Sequence, residues 1–296
     1  MDLKKYLKEK KEIIDKALER YLPMEQDNFG IITKAMRYSL FAGGKRVRPI
    51  LCIAGAEAVG GTGDQVLPVA CALELIHTYS LIHDDLPAID NDDYRRGVPT
   101  SHKVFGEAIA ILAGDALLTE AFKLMSCPEL RKGTSSGRLL EVINIVSHAA
   151  GYHGMVRGQV ADVLSEDKEV HTDTIEYIHM HKTGALITTS VVSGAILSGG
   201  PKAEIASLKS YGQRVGLAFQ IADDLLDVEG QSHIMGKGTG SDLKSKKATY
   251  VAVIGLNGSR EMAKHLISLA LDAISSFDQR ADPLRAIAHY IIERKY

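Results

Sequence analysis

The sequence predicts an all-α fold, with one helical bundle around a central apolar cavity and a single domain spanning residues 1–296. Apolar residues recur at the spacing of an α-helix along most of the chain. No segment shows the convincing alternation of apolar and polar residues that marks a strand. No linker or repeat of about 20–50 residues divides the chain, and a composition with 45% hydrophobic residues can bury one large core.

The predicted helices follow one another, separated by glycine-rich and polar loops. The first is charged and amphipathic and ends before Pro23, and Gly43-Gly44 stops the second. A Gly/Ser/Lys-rich loop is expected over residues 230–247. The predicted helices are Leu3–Tyr21, Ile31–Ala42, Val47–Val59, Val66–Asp84, Ala108–Met125, Leu139–Ala150, Met155–Leu164, Thr174–Leu197, Ala203–Asp227, Tyr250–Leu256, Ser259–Ser275 and Pro283–Glu293.

Composition excludes several classes of function. A net charge of −2 without a dense basic run gives no reason to expect nucleic acid. Cys52, Cys71 and Cys127 lack metal-ligand spacing and are expected to be free thiols in a reducing compartment. The N-terminus is too charged for a secretory signal, which favours the cytoplasm. The least polar segment, Ala185–Gly200, is short and rich in Thr, Ser and Gly, so a core helix is expected and no membrane span.

A cluster of aspartates follows the apolar helix Val66–Ile82. At about 4 Å and an effective dielectric constant near 20, each pair of like charges repels by about 4 kcal/mol. Such a cluster is tolerated in a solvated surface turn or where it holds cations. Asp84 and Asp90 can converge only if the helix is distorted between them, and Pro87 lies there. The cluster comprises Asp84, Asp85, Asp90, Asp92 and Asp93.

A second acidic cluster lies on the distant apolar helix that contains FQIADDLLD, residues 219–227. Asp223 and Asp227 are four residues apart and share a face within about 40°. Gln220 lies one turn earlier on that face. Two acid-bearing core helices are hard to explain as solvated faces. They predict facing carboxylate sites that together hold hard cations.

Seven motifs occur in the order found in one protein family. They are FAGGKRVRP, DDLPAID, NDDYRRG, GQVAD, HKTGAL, FQIADDLLD and GKGTGSDLKSKKATY. This set resembles the short-chain trans-isoprenyl diphosphate synthases of the polyprenyl synthetase family. The four residues between the second and third acids of the first motif are similar to the bacterial farnesyl and plant-type geranylgeranyl synthases. The resemblance implies the isoprenoid synthase fold and a homodimer.

Aspartates without cysteine indicate a hard ion, and Mg²⁺ completed by substrate phosphates fits best. We expect Asp84 and Asp90 to hold two Mg²⁺ ions and Asp223 to hold a third. Asp85, Asp224 and Asp227 are expected to lie in the outer coordination sphere, where they contact the ligands of these ions or reach the ions through water.

Lys45 and Arg48 open a helix, and a helix N-terminus attracts anions. The residues alone also allow an ordinary basic turn. The resemblance implies that both bind the diphosphate of isopentenyl diphosphate. His77 precedes Asp84 by seven residues and lies on the same helix face. A single histidine on an apolar helix is usually a core residue. The resemblance implies that His77 is a third contact to isopentenyl diphosphate.

Arg95 and Arg96 follow the acids and could simply pair with them. Guanidinium groups also match phosphate geometry. The resemblance implies that Arg95 faces the allylic diphosphate and Arg96 the isopentenyl diphosphate.

His181-Lys182-Thr183-Gly184 interrupts a long helical pattern, and its glycine predicts a kink. A basic charge at a helix C-terminus would explain Lys182 alone. The resemblance implies that Lys182 binds the allylic diphosphate and that carbonyls near Thr183 face developing positive charge. With Gln220, these two are the predicted catalytic residues. Gln159 and Asp162 of GQVAD are expected to support the cavity lining.

The Gly/Ser/Lys-rich loop lacks the spacing of a nucleotide-binding P-loop, and by composition it reads as a surface loop. By resemblance it is a lid whose Lys237 closes on the allylic diphosphate. Lys247 is expected to assist, with the adjacent Lys246 as the other candidate.

The expected activity is condensation of isopentenyl diphosphate with dimethylallyl or geranyl diphosphate through an allylic carbocation. Tyr79 and Ser80 lie five and four residues before Asp84, about 6–7 Å along the helix. A bulky Tyr79 would form a floor under the growing chain and favour farnesyl diphosphate (C15). The alternatives are a geranylgeranyl diphosphate (C20) synthase, a non-catalytic partner subunit that binds prenyl diphosphates, and a class I terpene cyclase.

Overall fold

The computed structural model describes residues 1–22, 30–168, 170–229 and 249–293. The all-α prediction is confirmed. In chain order the helices are α1 (Leu3–Tyr21), α2 (Ile31–Leu40), α3 (Val47–Ala58), α4 (Gly63–Asp84), α5 (Ser101–Phe105), α6 (Glu107–Met125), α7 (Pro128–Gly133), α8 (Ser136–Ala150), α9 (Met155–Ser165), α10 (Thr172–Ile178), the π-helix (His179–Gly184), α11 (Ala185–Leu197), α12 (Lys202–Glu229), α13 (Tyr250–Ala273) and α14 (Asp282–Glu293).

Helices α3, α4 and α11 form the centre of the bundle, because residues on all their faces are buried. α3 and α11 approach each other through glycine. A Cβ atom on Gly55 would lie 2.2 Å from the Val191 carbonyl oxygen, and one on Gly194 would lie 1.9 Å from that of Cys52. Side chains from α1 to α14 belong to one continuous hydrophobic cluster. Cys52, Cys71 and Cys127, all within the described residues, form no disulfide.

Helix α4 is apolar because it lies in the core. Within the described residues it is the one helix that is long and apolar enough to cross a membrane. Of its most apolar 18-residue window, 72% is buried inside the protein, so burial in the bundle accounts for the hydropathy.

The structure differs from the predicted elements in several places. A two-residue hairpin, β1 (Tyr94–Arg95) and β2 (Val98–Pro99), pairs antiparallel through Arg95 and Val98. Two residues are too few to show the alternation that identifies a strand. The sequence analysis also omitted the short helices α5 and α7 and the 3₁₀ turn Gln279–Ala281.

Two long helical predictions need adjustment. The segment predicted as one kinked helix from Thr174 is divided into α10, the π-helix and α11. The two helices predicted after Tyr250 form one element, α13, with non-helical backbone at Gly255, where φ is 73°. The first difference lies at the predicted Gly184 kink, whereas the interruption at Gly255 falls inside the predicted helix Tyr250–Leu256 and not in the gap predicted after it.

Candidate active site

The first aspartate motif lies where α4 ends. The helix ends at Asp84, before Pro87, so the predicted distortion is a helix end followed by turns. The backbone N–H of Asp90 donates to the carbonyl of Asp84 at 2.9 Å, which folds the motif back on itself. Burial raises the pKa of the Asp84 carboxyl, and the charges of Asp90 and Asp85 add to that shift. The structure thus brings Asp84 and Asp90 together.

The second acid of this motif is paired with an arginine of the hairpin. Asp85 is buried, and its carboxylate accepts from the Arg95 guanidinium. Arg95 also contacts the Asp92 carboxylate at 3.1 Å. Pairing with neighbouring acids was one of the two interpretations of Arg95, and the structure shows that pairing. Its role toward the allylic diphosphate stays a prediction.

The hairpin turn directs Arg96 toward the loop between α2 and α3. Arg96 and Gly97 have φ of 53° and 80°, the positive values that a type I′ turn requires at both central positions. The Arg96 guanidinium donates to the Gly43 carbonyl. A Cβ atom on Gly44 would lie 2.8 Å from an Arg96 nitrogen. Glycine at position 44 therefore leaves room for the guanidinium group.

Arg96, Arg48 and His77 form one basic group at the start of α3 and on α4. Burial lowers the pKa of His77 well below its ordinary value, and Arg48 and Arg96 lower it further. Burial also lowers the pKa of Arg48 to about 10. The Nε atom of Arg48 is buried without a hydrogen-bond partner. A buried donor without an acceptor, beside the second guanidinium group of Arg96 and the neutral imidazole of His77, fits an anionic ligand.

Lys182 of the π-helix joins this region to α9. Its ammonium group contacts the Asp162 carboxylate at 2.6 Å, and its charge also acts on Asp84. A Cβ atom on Gly158 would lie 2.2 Å from the Lys182 backbone nitrogen. Gly158 and Asp162 of the GQVAD motif therefore receive the backbone and the side chain of one lysine. Gln159 is half-buried on the same helix.

The π-helix also contacts the second aspartate motif on α12. The Thr183 hydroxyl donates to the Gln220 side-chain oxygen at 2.9 Å, and the Gln220 amide lies 3.4 Å from an Asp224 oxygen. The other Asp224 oxygen accepts the Tyr250 backbone N–H at 3.0 Å. Asp224 is thus engaged with the start of α13. Thr183 and Gln220, two of the predicted catalytic residues, lie in direct contact.

The remaining predicted metal residue, Asp223, lies half-buried on α12, and its charge raises the pKa of Arg48. Asp227 is buried one turn later. The two acidic motifs therefore share a neighbourhood, since Asp84 interacts with Lys182, whose neighbour Thr183 contacts Gln220 one turn before Asp224. Within the described residues, no three carboxylate, imidazole or thiol groups form a ready metal cluster. Carboxylate oxygens such as those of Asp84, Asp90 and Asp223 are ligands of the kind that Mg²⁺ takes, with water or phosphate oxygens completing its coordination.

The two predicted chain-length residues occupy the turn of α4 below Asp84. Tyr79 is buried, and its ring meets the ring of His83 edge-on at 5.6 Å between centroids. Burial, with the nearby Asp84 charge, raises the pKa of Tyr79 to about 12. The Ser80 hydroxyl donates to the His77 carbonyl of its own helix.

Some predicted residues lie outside this cluster. Lys45 is exposed to solvent beside Arg48. Lys237, Lys246 and Lys247 lie outside the described residues, so their predicted contacts stay predictions.

Sequence reasoning missed one buried charge near the basic group. Glu74 is buried on α4 and accepts from Arg46 at 2.9 Å. The signal was available, because Glu74 is the only charged residue in the apolar run Val66–Ile82. A lone acid inside a core helix requires a partner.

Comparison with known proteins gives the family. The sequence profile of polyprenyl synthetases matches residues 30–282. The chain is 48% identical over 290 residues to a geranylgeranyl diphosphate synthase of Cyanophora paradoxa, covering 98% of this chain and 95% of that one. It is 45% identical over 282 residues to a farnesyl diphosphate synthase of Micrococcus luteus, covering 95% and 94%.

Solved structures agree with these relatives. An FPP/GFPP synthase of Zymomonas mobilis superposes with a TM-score of 0.87 at 38% identity, covering 98% of this chain and 99% of the other. A geranylgeranyl pyrophosphate synthetase of Pyrococcus horikoshii superposes with a TM-score of 0.90 at 30% identity, covering 99% of both chains. The chain therefore belongs to the polyprenyl synthetase family and is a prenyltransferase.

Proposed function

We propose that this prenyltransferase is a Mg²⁺-dependent synthase that condenses isopentenyl diphosphate with dimethylallyl or geranyl diphosphate and forms farnesyl diphosphate. The observation that carries the proposal is the shared position of the two acidic motifs, the π-helix lysine and the Arg48 group. Carboxylates suited to a hard cation and basic groups suited to diphosphates in one region are what the proposed reaction requires.

The proposed reaction begins with cleavage of the allylic C–O bond. The bonding electrons leave with the diphosphate, whose charge Lys182, Arg95 and Lys237 would neutralise. Asp84, Asp90 and Asp223 would hold three Mg²⁺ ions, which when bound supply further positive charge to the same leaving group. The double bond of isopentenyl diphosphate attacks the allylic cation, and the condensed product then loses a proton.

The homoallylic substrate would be bound by its own diphosphate. Arg48, His77 and Arg96 would bind this diphosphate, and the solvent-exposed Lys45 would close on it from the surface. The buried Nε atom of Arg48 supplies a donor without a protein acceptor. Thr183 and Gln220, joined by a hydrogen bond, would face the reacting carbon atoms with their oxygen dipoles. Two separate diphosphate sites are what a head-to-tail condensation requires.

Product length is the finer part of the proposal. The buried position of Tyr79 in the turn below Asp84 supports a C15 product, since its ring would close the space beneath the proposed allylic site. A C20 product is the second candidate, and the support for it is that relatives from Cyanophora paradoxa and Catharanthus roseus, 48% and 47% identical, are named geranylgeranyl synthases.

A homodimer and a cytoplasmic location complete the proposal. Support for the dimer comes from the exposed apolar side chains of Ile111 and Leu112 on α6 and Leu140 on α8. Large apolar side chains that are exposed in one chain would be covered in a dimer if they lie in its interface. Sedimentation of the purified protein would give the assembly state.

The decisive experiment incubates the protein with isopentenyl diphosphate, geranyl diphosphate and Mg²⁺ and analyses chain length. We expect a C15 product and loss of activity with a chelator. Asp84→Asn should lower turnover by at least about 100-fold, because it removes a carboxylate proposed to bind the cation. Full turnover by Asp84→Asn would overturn the metal assignment, and no condensation by the wild type would favour a binding subunit.

A further inference from the structure

Arg46 lies between Lys45 and Arg48 but is withdrawn into the protein. It is 3% exposed, whereas Lys45 is at the surface. Its Nε donates to Asp15 of α1 at 2.8 Å, one terminal nitrogen donates to Glu74 of α4 at 2.9 Å, and the other donates to the Leu40 carbonyl at 2.8 Å. All three guanidinium nitrogens are bound to protein acceptors. Arg46 is therefore placed to hold other parts of the protein and not a ligand.

The backbone around Arg46 has an unusual conformation. Gly43 and Gly44 have φ of 109° and 123°, and Arg46 itself has φ of 52° and ψ of 40°. A left-handed conformation is unfavourable for a residue with a side chain and persists where surrounding contacts impose it. Here the contacts are made by the arginine's own side chain, which ties this loop to α1, α2 and α4.

The same loop lies next to two other arginines, Arg48 at the start of α3 and Arg96 of the hairpin turn. The Gly43 carbonyl accepts from both Arg46, at 3.3 Å, and Arg96. The Glu74 carboxylate that pairs with Arg46 also raises the pKa of Arg48 and of Arg96, against the effect of burial. One buried acid thus acts on the three arginines that meet at this loop.

From these contacts we propose that Arg46 is a positioning residue for the diphosphate site of isopentenyl diphosphate. With Asp15 and Glu74 it fixes the loop that presents Lys45 and Arg48 and that receives Arg96. This inference rests on the proposed function and concerns one of its two substrates. The allylic site, which uses Lys182 and the hairpin arginine Arg95, does not share the loop.

The two substrates separate a positioning role from a purely structural one. If Arg46 only stabilises the core, its removal lowers stability and leaves both KM values alone or changes them together. If it positions the loop, the KM for isopentenyl diphosphate rises while the KM for geranyl diphosphate does not. The split between the two KM values is therefore the readout.

The experiment compares Arg46→Met and Arg46→Lys with the wild type. We expect Arg46→Met to raise the KM for isopentenyl diphosphate at least tenfold and to change the KM for geranyl diphosphate less than twofold. Arg46→Lys keeps a cation for Glu74 but cannot reach three acceptors. Its KM for isopentenyl diphosphate should therefore lie between those of the wild type and Arg46→Met. Asp15→Asn removes one half-exposed partner and leaves the buried pair with Glu74. It should produce a smaller rise in the same KM even if Arg46→Met folds poorly.

Arg285 on α14 provides a matched control. Like Arg46, it donates to carboxylate and backbone carbonyl acceptors, here the Asp282 carboxylate and the carbonyls of Ile274 and Phe277, although its side chain is only partly buried. Arg285→Met should lower the melting temperature without changing either KM. Unchanged KM values in Arg46→Met and Asp15→Asn, or equal rises for both substrates, would overturn the proposal.

Calorimetry keeps this test separate from the proposed function. If the wild type does not condense the substrates, the proposed function fails, and isopentenyl diphosphate is then titrated directly into each protein. Weaker binding to Arg46→Met than to the wild type and Arg285→Met would still support the positioning role. Equal binding to all three, or no binding to any, would contradict it.

Discussion

The ammonium group of Lys182 contacts one carboxylate and acts on a second through its charge. Asp162 holds it at 2.6 Å, while Asp84 acts on it through its charge. Because Asp162 is mostly buried and Asp84 is proposed to bind Mg²⁺, the first contact keeps the lysine from pairing with the second acid. Asp162 of the GQVAD motif would thus set the direction of the Lys182 ammonium group, which is proposed to bind the allylic diphosphate.

Asp162→Asn tests this arrangement. Without the carboxylate, Lys182 is free to turn toward Asp84, so we expect the KM for geranyl diphosphate to rise roughly tenfold, the loss of about 1.4 kcal/mol of binding. The KM for isopentenyl diphosphate should stay within twofold. Glu120→Gln, which breaks an exposed ion pair with Lys123, is the control and should change neither value. Equal KM values for Asp162→Asn and the wild type would refute the interpretation.

Tyr79→Ala tests the proposed floor of the product cavity. Removing the buried ring opens space below the allylic site, so we expect products of C20 or longer by chromatography of the dephosphorylated alcohols. Tyr79→Phe keeps the ring and should retain the wild-type product. An unchanged product in Tyr79→Ala would show that chain length is limited elsewhere.

His179 gives a prediction for pH. Burial lowers its pKa to about 3, an effect that Asp162 opposes and Lys182 increases, and it packs beside Asp224 and Tyr250. Below about pH 6.5 the His179 imidazole is therefore protonated in the unfolded chain but stays neutral in the folded protein. The contribution of this group to the free energy of unfolding is fully present above pH 6.5. It falls as the pH drops toward 3, with a loss of about 2 kcal/mol at pH 5.

Urea unfolding at pH 7 and pH 5 measures this loss. His179→Asn has no titrating ring at this position, so its stability should fall by about 2 kcal/mol less than that of the wild type over the same interval. Equal losses in the two proteins would show that other groups cause the dependence.

At the scale of secondary structure, α9 and the π-helix work as a pair. Gly158 permits the backbones to meet, and Asp162, four residues later on the same face, receives the lysine side chain. The wider π turn places Lys182 toward α9 and Thr183 toward Gln220 on α12. π-Helical turns often occur at functional sites, and here the turn directs consecutive residues to different helices.

Gly158→Ala tests this contact between elements. The added methyl group would lie 2.2 Å from the Lys182 nitrogen and 2.7 Å from its Cα, so the backbones must separate. We expect a loss of about 1–3 kcal/mol of stability in urea unfolding, together with reduced turnover. Gly137→Ala on α8 meets no atom within 4 Å and should be neutral or slightly stabilising. Equal stability of the two variants would contradict the close approach.

At the scale of the molecule, one hydrophobic cluster runs from Ile14 in α1 to Ile291 in α14. The chain ends therefore contribute to the same core as the central helices. A single domain over the whole chain stays a prediction, and the unfolding behaviour tests it.

A single core predicts cooperative unfolding. We expect circular dichroism and tyrosine fluorescence to report one coincident urea transition, because no part of the described bundle has a separate large core. The small second cluster around Ile175, Ile221 and Tyr250 is built on α12, which also lines the main core. Two transitions, or a stable fragment after limited proteolysis, would argue against a single domain.

The sequence predicts local features of this fold better than contacts between elements. Pro87 correctly marked where the chain must leave the helix for Asp84 and Asp90 to meet. The pairing of Lys182 with Asp162 could not be derived, because helical periodicity shows which face is buried but not which helix covers it. The hairpin was missed because its strands are two residues long, although Arg96-Gly97 is a turn signal in hindsight.

The π-helical stretch has a consequence for the length of the chain. Deleting one residue from positions 179–184 would let α10 and α11 merge into one regular helix with their relative orientation nearly kept, because a π turn holds about one residue more than an α turn. A shorter protein could then be more stable and yet inactive, because the lysine and the threonine would no longer reach their partners. If Lys182 and Thr183 act as proposed, insertions and deletions at this point would affect activity more than folding.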